Sequence, residues 1–262
     1  MHEANRNPEL ALLPATAADS DSAAGLARRL GLPLLASGSS PLDCDTHDAL
    51  LIVDGRALRL QRTGRGAPGP VAVDFGSAAM RHRRHAGARE LLGRAVGQGG
   101  KKMLRVLDAT AGLGTDAFVL ADQGSEVVLC EREPVIAELL RSGLQVAAGS
   151  GDPWLINVSQ RMSLCPGDAR ALAPGHLQGV DVIYLDPMFP PRRKSAAVRK
   201  EMALFHSLLA HAIGPQDADA LLLWALRQDV ARVVVKRPAK APCLAAREPS
   251  HTISAPLGLP IP

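Results

Sequence analysis

The chain has 262 residues, of which 47% are hydrophobic and 21% charged, with a mean hydropathy of +0.05. That suits one α/β domain with an appendage, or two small domains, and excludes a chain disordered over its bulk. The net charge of +4 is mild. With no apolar run near the ~18 residues a membrane span needs and no secretory leader at Met1–Arg6, a cytoplasmic protein without a membrane partner is expected.

Taken in chain order, Leu10–Leu13 reads as a short strand and Ser22–Leu30 as a helix, with Ser20 or Ser22 as cap and Gly31 just past its end. Residues 49–53 and 57–60 flank an Asp54-Gly55 pair and predict a hairpin. Val71–Phe75 reads as a further strand, and Ser77–Val96 as a long helical stretch ending at the break Gly97–Gly100. From Lys101 strands and helices alternate. Strands are expected at 103–107, 126–130, 162–165, 180–185 and 233–235, and helices at 116–123, 134–145 and 198–212. Uninterrupted apolar strands separated by helices predict a doubly wound, mostly parallel sheet. The expected division is a small N-terminal α/β extension over 1–80 and the principal domain over 81–262.

Cys44, Cys130, Cys165 and Cys243 form no CxxC pair and have no zinc-finger spacing, so they read as reduced thiols, and no metal is expected.

The first strand of the principal domain runs into Asp108-Ala109-Thr110-Ala111-Gly112-Leu113-Gly114-Thr115-Asp116-Ala117. Gly112 and Gly114 permit a tight turn and close approach of a ligand at the sheet's carboxyl edge, and residues 112–117 satisfy GxGxxA. Glu131 closes the second strand, where a carboxylate can accept hydrogen bonds from both hydroxyls of a ribose. Together these predict a nucleoside-containing cofactor. A nicotinamide oxidoreductase and an S-adenosylmethionine-dependent methyltransferase both remain open at this point. Asp108, early in the turn, suits the methionine moiety of the second. Gly167-Asp168, after the third strand, places an acceptor where an adenine amino group can be held.

After the fourth strand comes Tyr184-Leu185-Asp186-Pro187-Met188-Phe189-Pro190-Pro191, which resembles the D/N-P-P-F/Y signature of methyltransferases acting on planar amine or amide nitrogens. Such a nitrogen is a poor nucleophile because its lone pair is delocalised. The Asp186 carboxylate and the Pro187 carbonyl can accept its two N–H groups and aim the lone pair, while Phe189 offers a face on which a flipped base stacks. An oxidoreductase leaves this segment unexplained.

More particularly, residues 108–121 (DATAGLGTDAFVLA), 129–133 (LCERE), 182–202 (VIYLDPMFPPRRKSAAVRKEM), 233–238 (VVVKRP) and 73–85 (VDFGSAAMRHRRH) resemble the small-subunit methyltransferase J family. The resemblance covers roughly Val71–Pro238. It implies a class I Rossmann-like fold, S-adenosylmethionine as cofactor, and methylation of a guanine N2 in 16S rRNA. It also implies cofactor contacts from Thr115, Asp116, Glu131, Arg132 and Asp186. The family usually has Arg at position 115, a Ser-Ser pair at 167–168, and an Arg-Phe-Asp-type final strand where this chain ends Ser254–Pro262; a shortened or replaced last strand is implied.

Arg81, Arg83 and Arg84 lie on one predicted helix. Arg192, Arg193 and Lys194 follow the Asp186 segment, with Arg199 and Lys200 a turn further on, and Lys236 and Arg237 end a later strand. Their concentration about the carboxyl edge of the sheet predicts phosphate contacts with RNA. With 3% aromatic residues, recognition by shape and phosphate is expected over a stacking platform. Other amine substrates, DNA or a protein amide, and a non-catalytic RNA-binding module are the alternatives.

Overall fold

The computed structural model describes residues 8–85, 87–99, 103–187, 215–238 and 241–254. The first unit is a three-stranded sheet of β1 (Leu10–Pro14), β2 (Ala49–Asp54) and β3 (Ala57–Arg62), with α1 (Ser20–Leu30) packed on it. β1 pairs parallel to β2, and β2 antiparallel to β3 through the two-residue turn Gly55-Arg56 that the Asp-Gly pair predicts. α1 begins two residues earlier than read. The Asp19 carboxylate accepts the Thr16 N–H and, at 2.8 Å, the Gly55 N–H, which ties the helix entry to the hairpin turn.

Val71–Phe75 is not a strand, and that expectation is corrected. Only Val71 pairs, exchanging two 2.8 Å hydrogen bonds with Leu60. The alternation is real, since Val73 and Phe75 are buried, but the period comes from packing against a helix. A Cβ on Gly143 would stand 2.3 Å from the Val73 side chain and 2.8 Å from its carbonyl oxygen, so glycine alone lets the segment lie this close.

The stretch 77–96 carries α2 (Ala78–His85) and α3 (Gly87–Val96). There follow β4 (Arg105–Asp108), α4 (Thr115–Asp122), β5 (Glu126–Glu131), α5 (Pro134–Ala148), α6 (Pro153–Ser159), β6 (Met162–Pro166), α7 (Pro174–Leu177), β7 (Val182–Leu185), α8 (Pro215–Ala225) and β8 (Arg232–Val235). The strands form one sheet in the order β6-β5-β4-β7-β8, every pair parallel. The expected helix at 198–212 lies outside the described residues. Helices α6, α7 and α8 are additions to the sequence reading.

Period-two alternation sends each strand's side chains into two cores. Val106, Val127, Leu129, Val182 and Tyr184 face one layer, with α4 and α5; Leu107, Val128, Cys130, Ile183 and Leu185 face the other, with α8. The first cluster continues without a break into Leu12, Leu51 and Leu60 of the small sheet. Polar contacts fasten the same seam: the Ser142 hydroxyl on α5 accepts the Leu58 N–H and donates to the Arg56 carbonyl.

The four cysteines are free thiols. Among the described residues no strand follows β8, and no helix is long and apolar enough to cross a membrane.

Candidate active site

The chain leaves the central strand β4 to build β5 and β6 on one side, and β7 and β8 on the other. The order therefore reverses between β4 and β7, and a crevice opens at their carboxyl ends, where ligands of such sheets bind. Gly112, Glu131, Arg132, Asp168, Asp186 and Pro187, all singled out in the sequence, line it. Thr110 and Cys130, inside the 108–121 and 129–133 blocks, line it too without having been singled out, as do Ala169, Arg170, Asp217 and Leu221, which carried no recognisable motif.

The turn after β4 explains its glycines. Gly114 opens α4 with φ +73°, and a Cβ there would meet Leu140 at 2.6 Å. Its role is to seat the helix against the core; Gly112 is the one beside the crevice. The Gly112 N–H donates to Glu131 Oε2 at 2.8 Å, and the Glu133 N–H to Oε1 at 2.8 Å. Both carboxylate oxygens thus have one backbone donor and keep further acceptor capacity, enough for two ribose hydroxyls. Burial raises the Glu131 pKa, while those two backbone donors oppose the rise.

Beyond β5 and β6 lies a set of ion pairs. Arg132 Nη1 donates to Asp217 at 2.7 Å, Arg170 bridges Asp168 and Asp217, and the Arg170 N–H caps onto Asp168. The hydrogen-bonded Arg170 guanidinium holds the Asp168 carboxyl below the usual carboxylate range. Asp168 lines the crevice as expected, with its charge already engaged by arginine. Gly167, next to it, donates its N–H to the Glu131 carbonyl.

Under the opposite half sits a second group. Asp108 is only 2% exposed and accepts the Thr110 N–H; burial holds its pKa well above the ordinary value, and the nearby carboxylates add to the rise. It does not line the crevice, and neither do Gly114, Thr115, Asp116 or Gly167. The Thr110 hydroxyl accepts the Asp186 N–H at 2.7 Å and so fixes the backbone after β7. Lys236 Nζ lies 2.6 Å from Asp116 and 2.9 Å from Asp186, while the Tyr184 hydroxyl donates to Asp116 at 2.7 Å. Burial alone would raise the Asp116 pKa, but Lys236, Tyr184 and Arg83 together bring it below the ordinary value. Asp186 stays raised by burial, with Lys236 opposing.

The basic residues divide. Lys236 is engaged by two carboxylates. Arg83, on α2, stands 3.9 Å from Asp116. Arg81 and Arg84 both lie over the Trp154 ring, 5.1 and 4.8 Å from its centroid, and pair with Asp152 and Asp122, so they clamp α2 to α6 while staying partly exposed. Arg237 is half-buried beyond Lys236. Phe189, Arg192, Arg193, Lys194, Arg199 and Lys200 lie outside the described residues.

The crevice fits S-adenosylmethionine. Cys130, Ala169, Ala218 and Leu221 give an apolar wall for a flat ring, and Glu131 retains acceptors beside it. Arg132 borders the crevice, and its Nη2 is buried without a hydrogen-bond partner among the described residues.

Comparison with known proteins agrees with this geometry. A family model for SAM-dependent methyltransferases, SAM_MT, matches residues 39–256. The crystal structure of a SAM-dependent methyltransferase from Neisseria gonorrhoeae superposes with a TM-score of 0.66 at 32% identity, covering 92% of this chain and 89% of that one. The protein is an S-adenosylmethionine-dependent methyltransferase with the parallel Rossmann-like sheet expected, and the oxidoreductase alternative is set aside. Two relatives, from Hahella chejuensis (46% identical, 89% of this chain and 87% of that one) and Thioalkalivibrio sulfidiphilus (47%, 89% of each), are both named ribosomal RNA small subunit methyltransferase J. The chain belongs to that family.

Proposed function

We propose that the protein methylates the exocyclic N2 of a guanine in 16S rRNA. The observation that carries this reading is the placement of Asp186-Pro187 on the crevice, with one Asp186 oxygen held by Lys236 and Oδ1 without a partner among the described residues. That oxygen and the Pro187 carbonyl are the two acceptors an aromatic amine needs. The names of the curated relatives support small-subunit rRNA as the substrate.

Bound S-adenosylmethionine supplies a methyl group on a sulfonium. Glu131 would accept from the ribose hydroxyls, Arg132 would border the nucleoside beside it, and Gly112 would let the backbone approach. The Asp108 and Thr110 turn, with Gly114, Thr115 and Asp116 behind it, shapes the methionine end, while Gly167 and Asp168 border the adenine. The N2 lone pair would take that methyl, the sulfonium departing as a neutral thioether, and the nitrogen, positively charged by the new bond, would lose one of its own two protons to water. Phe189 supplies a stacking face worth about 1–3 kcal/mol. Arg81, Arg83, Arg84, Arg192, Arg193, Lys194, Arg199, Lys200 and Arg237 contact phosphates, positioning the RNA without reading its sequence. A ribosomal substrate supports the cytoplasm as the compartment in which the protein acts.

The test is transfer of labelled methyl to small ribosomal subunits from cells lacking this protein, followed by nucleoside analysis. Label is expected in N2-methylguanosine of 16S rRNA. Label in another nucleoside or in protein contradicts the substrate; binding of cofactor without transfer to any RNA points to a non-catalytic module.

A further inference from the structure

The ammonium of Lys236 is placed oddly for a phosphate ligand. It is held in the fork between two carboxylates, Asp116 at 2.6 Å and Asp186 at 2.9 Å, and its side chain is about a third exposed. Two elements converge to put it there. β8 pairs parallel with β7, Leu185 opposite Val235, so the residue after β8 stands beside the residue after β7. The Lys236 N–H donates to the Leu185 carbonyl at 2.8 Å, which extends the ladder by one bond and fixes the lysine's backbone. On the far side, Asp116 is anchored by the Tyr184 hydroxyl at 2.7 Å and faced by Arg83.

We propose that Lys236 is a positioning residue for methyl transfer: tethered by Asp116, it holds Oδ2 of Asp186 so that Oδ1 is presented to the substrate amine. Resting on the N2-methyltransferase reading above, this gives the strand-end lysine a role different from RNA contact. Thr110 does the complementary work by fixing the Asp186 backbone. A carboxylate held at its backbone and at one oxygen has little rotational freedom, and an acceptor fixed in advance costs no reorganisation when the amine arrives.

The same contacts set the charge on Asp186. Burial favours its protonated form, as does Asp116 on α4, whereas Lys236 and Arg83 on α2 favour the carboxylate. Asp108 at the end of β4 and the phenol of Tyr184 on β7 also face it, and burial favours the protonated form of each of them. Only the carboxylate offers two acceptor oxygens. The acidic limb of turnover therefore reports Asp186, and the two partners of Lys236 move it in opposite directions. Lys236→Met removes the opposing cation and shifts the limb to higher pH. Asp116→Asn keeps an acceptor for Lys236 and Tyr184 but removes a competing negative charge, and shifts the limb to lower pH.

The experiment measures single-turnover methylation of small ribosomal subunits against pH, at saturating cofactor, for the wild type, Lys236→Met, Lys236→Arg and Asp116→Asn. Calorimetric cofactor affinity and melting temperature are recorded for each. For Lys236→Met the expected result is a maximal rate lowered roughly thirtyfold, a subunit KM changed by less than about threefold, and recovery of most of the rate in Lys236→Arg. Opposite displacements of the acidic limb in Lys236→Met and Asp116→Asn complete the pattern. A raised subunit KM with unchanged rate and unchanged limb would show a phosphate contact and overturn the proposal. Should Lys236→Met not fold, the direction of the Asp116→Asn shift decides: no shift, or one to higher pH, overturns it. An inactive wild type breaks the substrate reading and this inference together, whereas an active wild type with indifferent variants breaks this inference alone.

Discussion

The two ends of the crevice hold their carboxylates by different means. At the β5 end, Glu131 is fixed by two backbone N–H groups, from Gly112 and Glu133, which cannot move without unwinding the turn. At the β7 end, Asp186 is fixed by a side-chain ammonium, whose other partner is Asp116. The first arrangement suits a cofactor that occupies the same place in every cycle. The second leaves an oxygen open and makes its charge depend on neighbours, which suits a substrate that must be aimed and released. On the proposed function, the difference divides binding from chemistry along a single sheet edge.

The strongest blow to the β7 end is Asp186→Ala. Removing the amine acceptor should lower turnover about a thousandfold while S-adenosylmethionine affinity stays within about tenfold; near-normal turnover of subunits would break the assignment. Next, Glu131→Gln replaces an acceptor by a donor that faces a backbone N–H. Cofactor affinity should weaken roughly tenfold, equivalent to about 1.4 kcal/mol, with the single-turnover rate at saturating cofactor within about threefold of wild type. Loss of rate without loss of affinity would erase the division.

Away from the crevice the effects are on stability. Gly143→Val drives a side chain into Val73, already 2.3 Å from an added Cβ. Overpacking of this kind costs about 1–3 kcal/mol, and thermal melting should fall by about 2–4 °C for each kcal/mol lost. Turnover below the transition should be unaffected, since Gly143 does not line the crevice and its nearest neighbour is Val73. Smallest is Arg84→Ala. Loss of its stacking on Trp154 should cost about 0.5–1 kcal/mol, and loss of one phosphate contact should reduce the log–log salt slope of subunit binding by about 0.7–0.9. An unchanged slope would leave Arg84 as a clamp only.

Much of the cofactor end was legible in the sequence because it is local. Glu131 ends a strand and Gly112 and Asp168 each follow one, and strand ends are where a parallel sheet binds ligands. The place of Asp186-Pro187 on the crevice was legible for the same reason. What escaped depends on pairing between distant segments. Lys236 reads as one more basic residue until β8 is known to lie beside β7, and Arg81 and Arg84 read as a free basic face until α6 brings Trp154 beneath them. Helix α6 has seven residues, too few for its period to show, though Asp152 with Pro153 is a regular helix start. The segment Val71–Phe75 alternated like a strand, yet its partner is the glycine notch of α5, which no local pattern reveals.

The division between the two ends is tested most directly by calorimetry of S-adenosylmethionine binding to Asp186→Ala and Glu131→Gln side by side. The account predicts near wild-type affinity for the first and clearly weakened affinity for the second. Equal weakening in both, or weakening confined to Asp186→Ala, would contradict it.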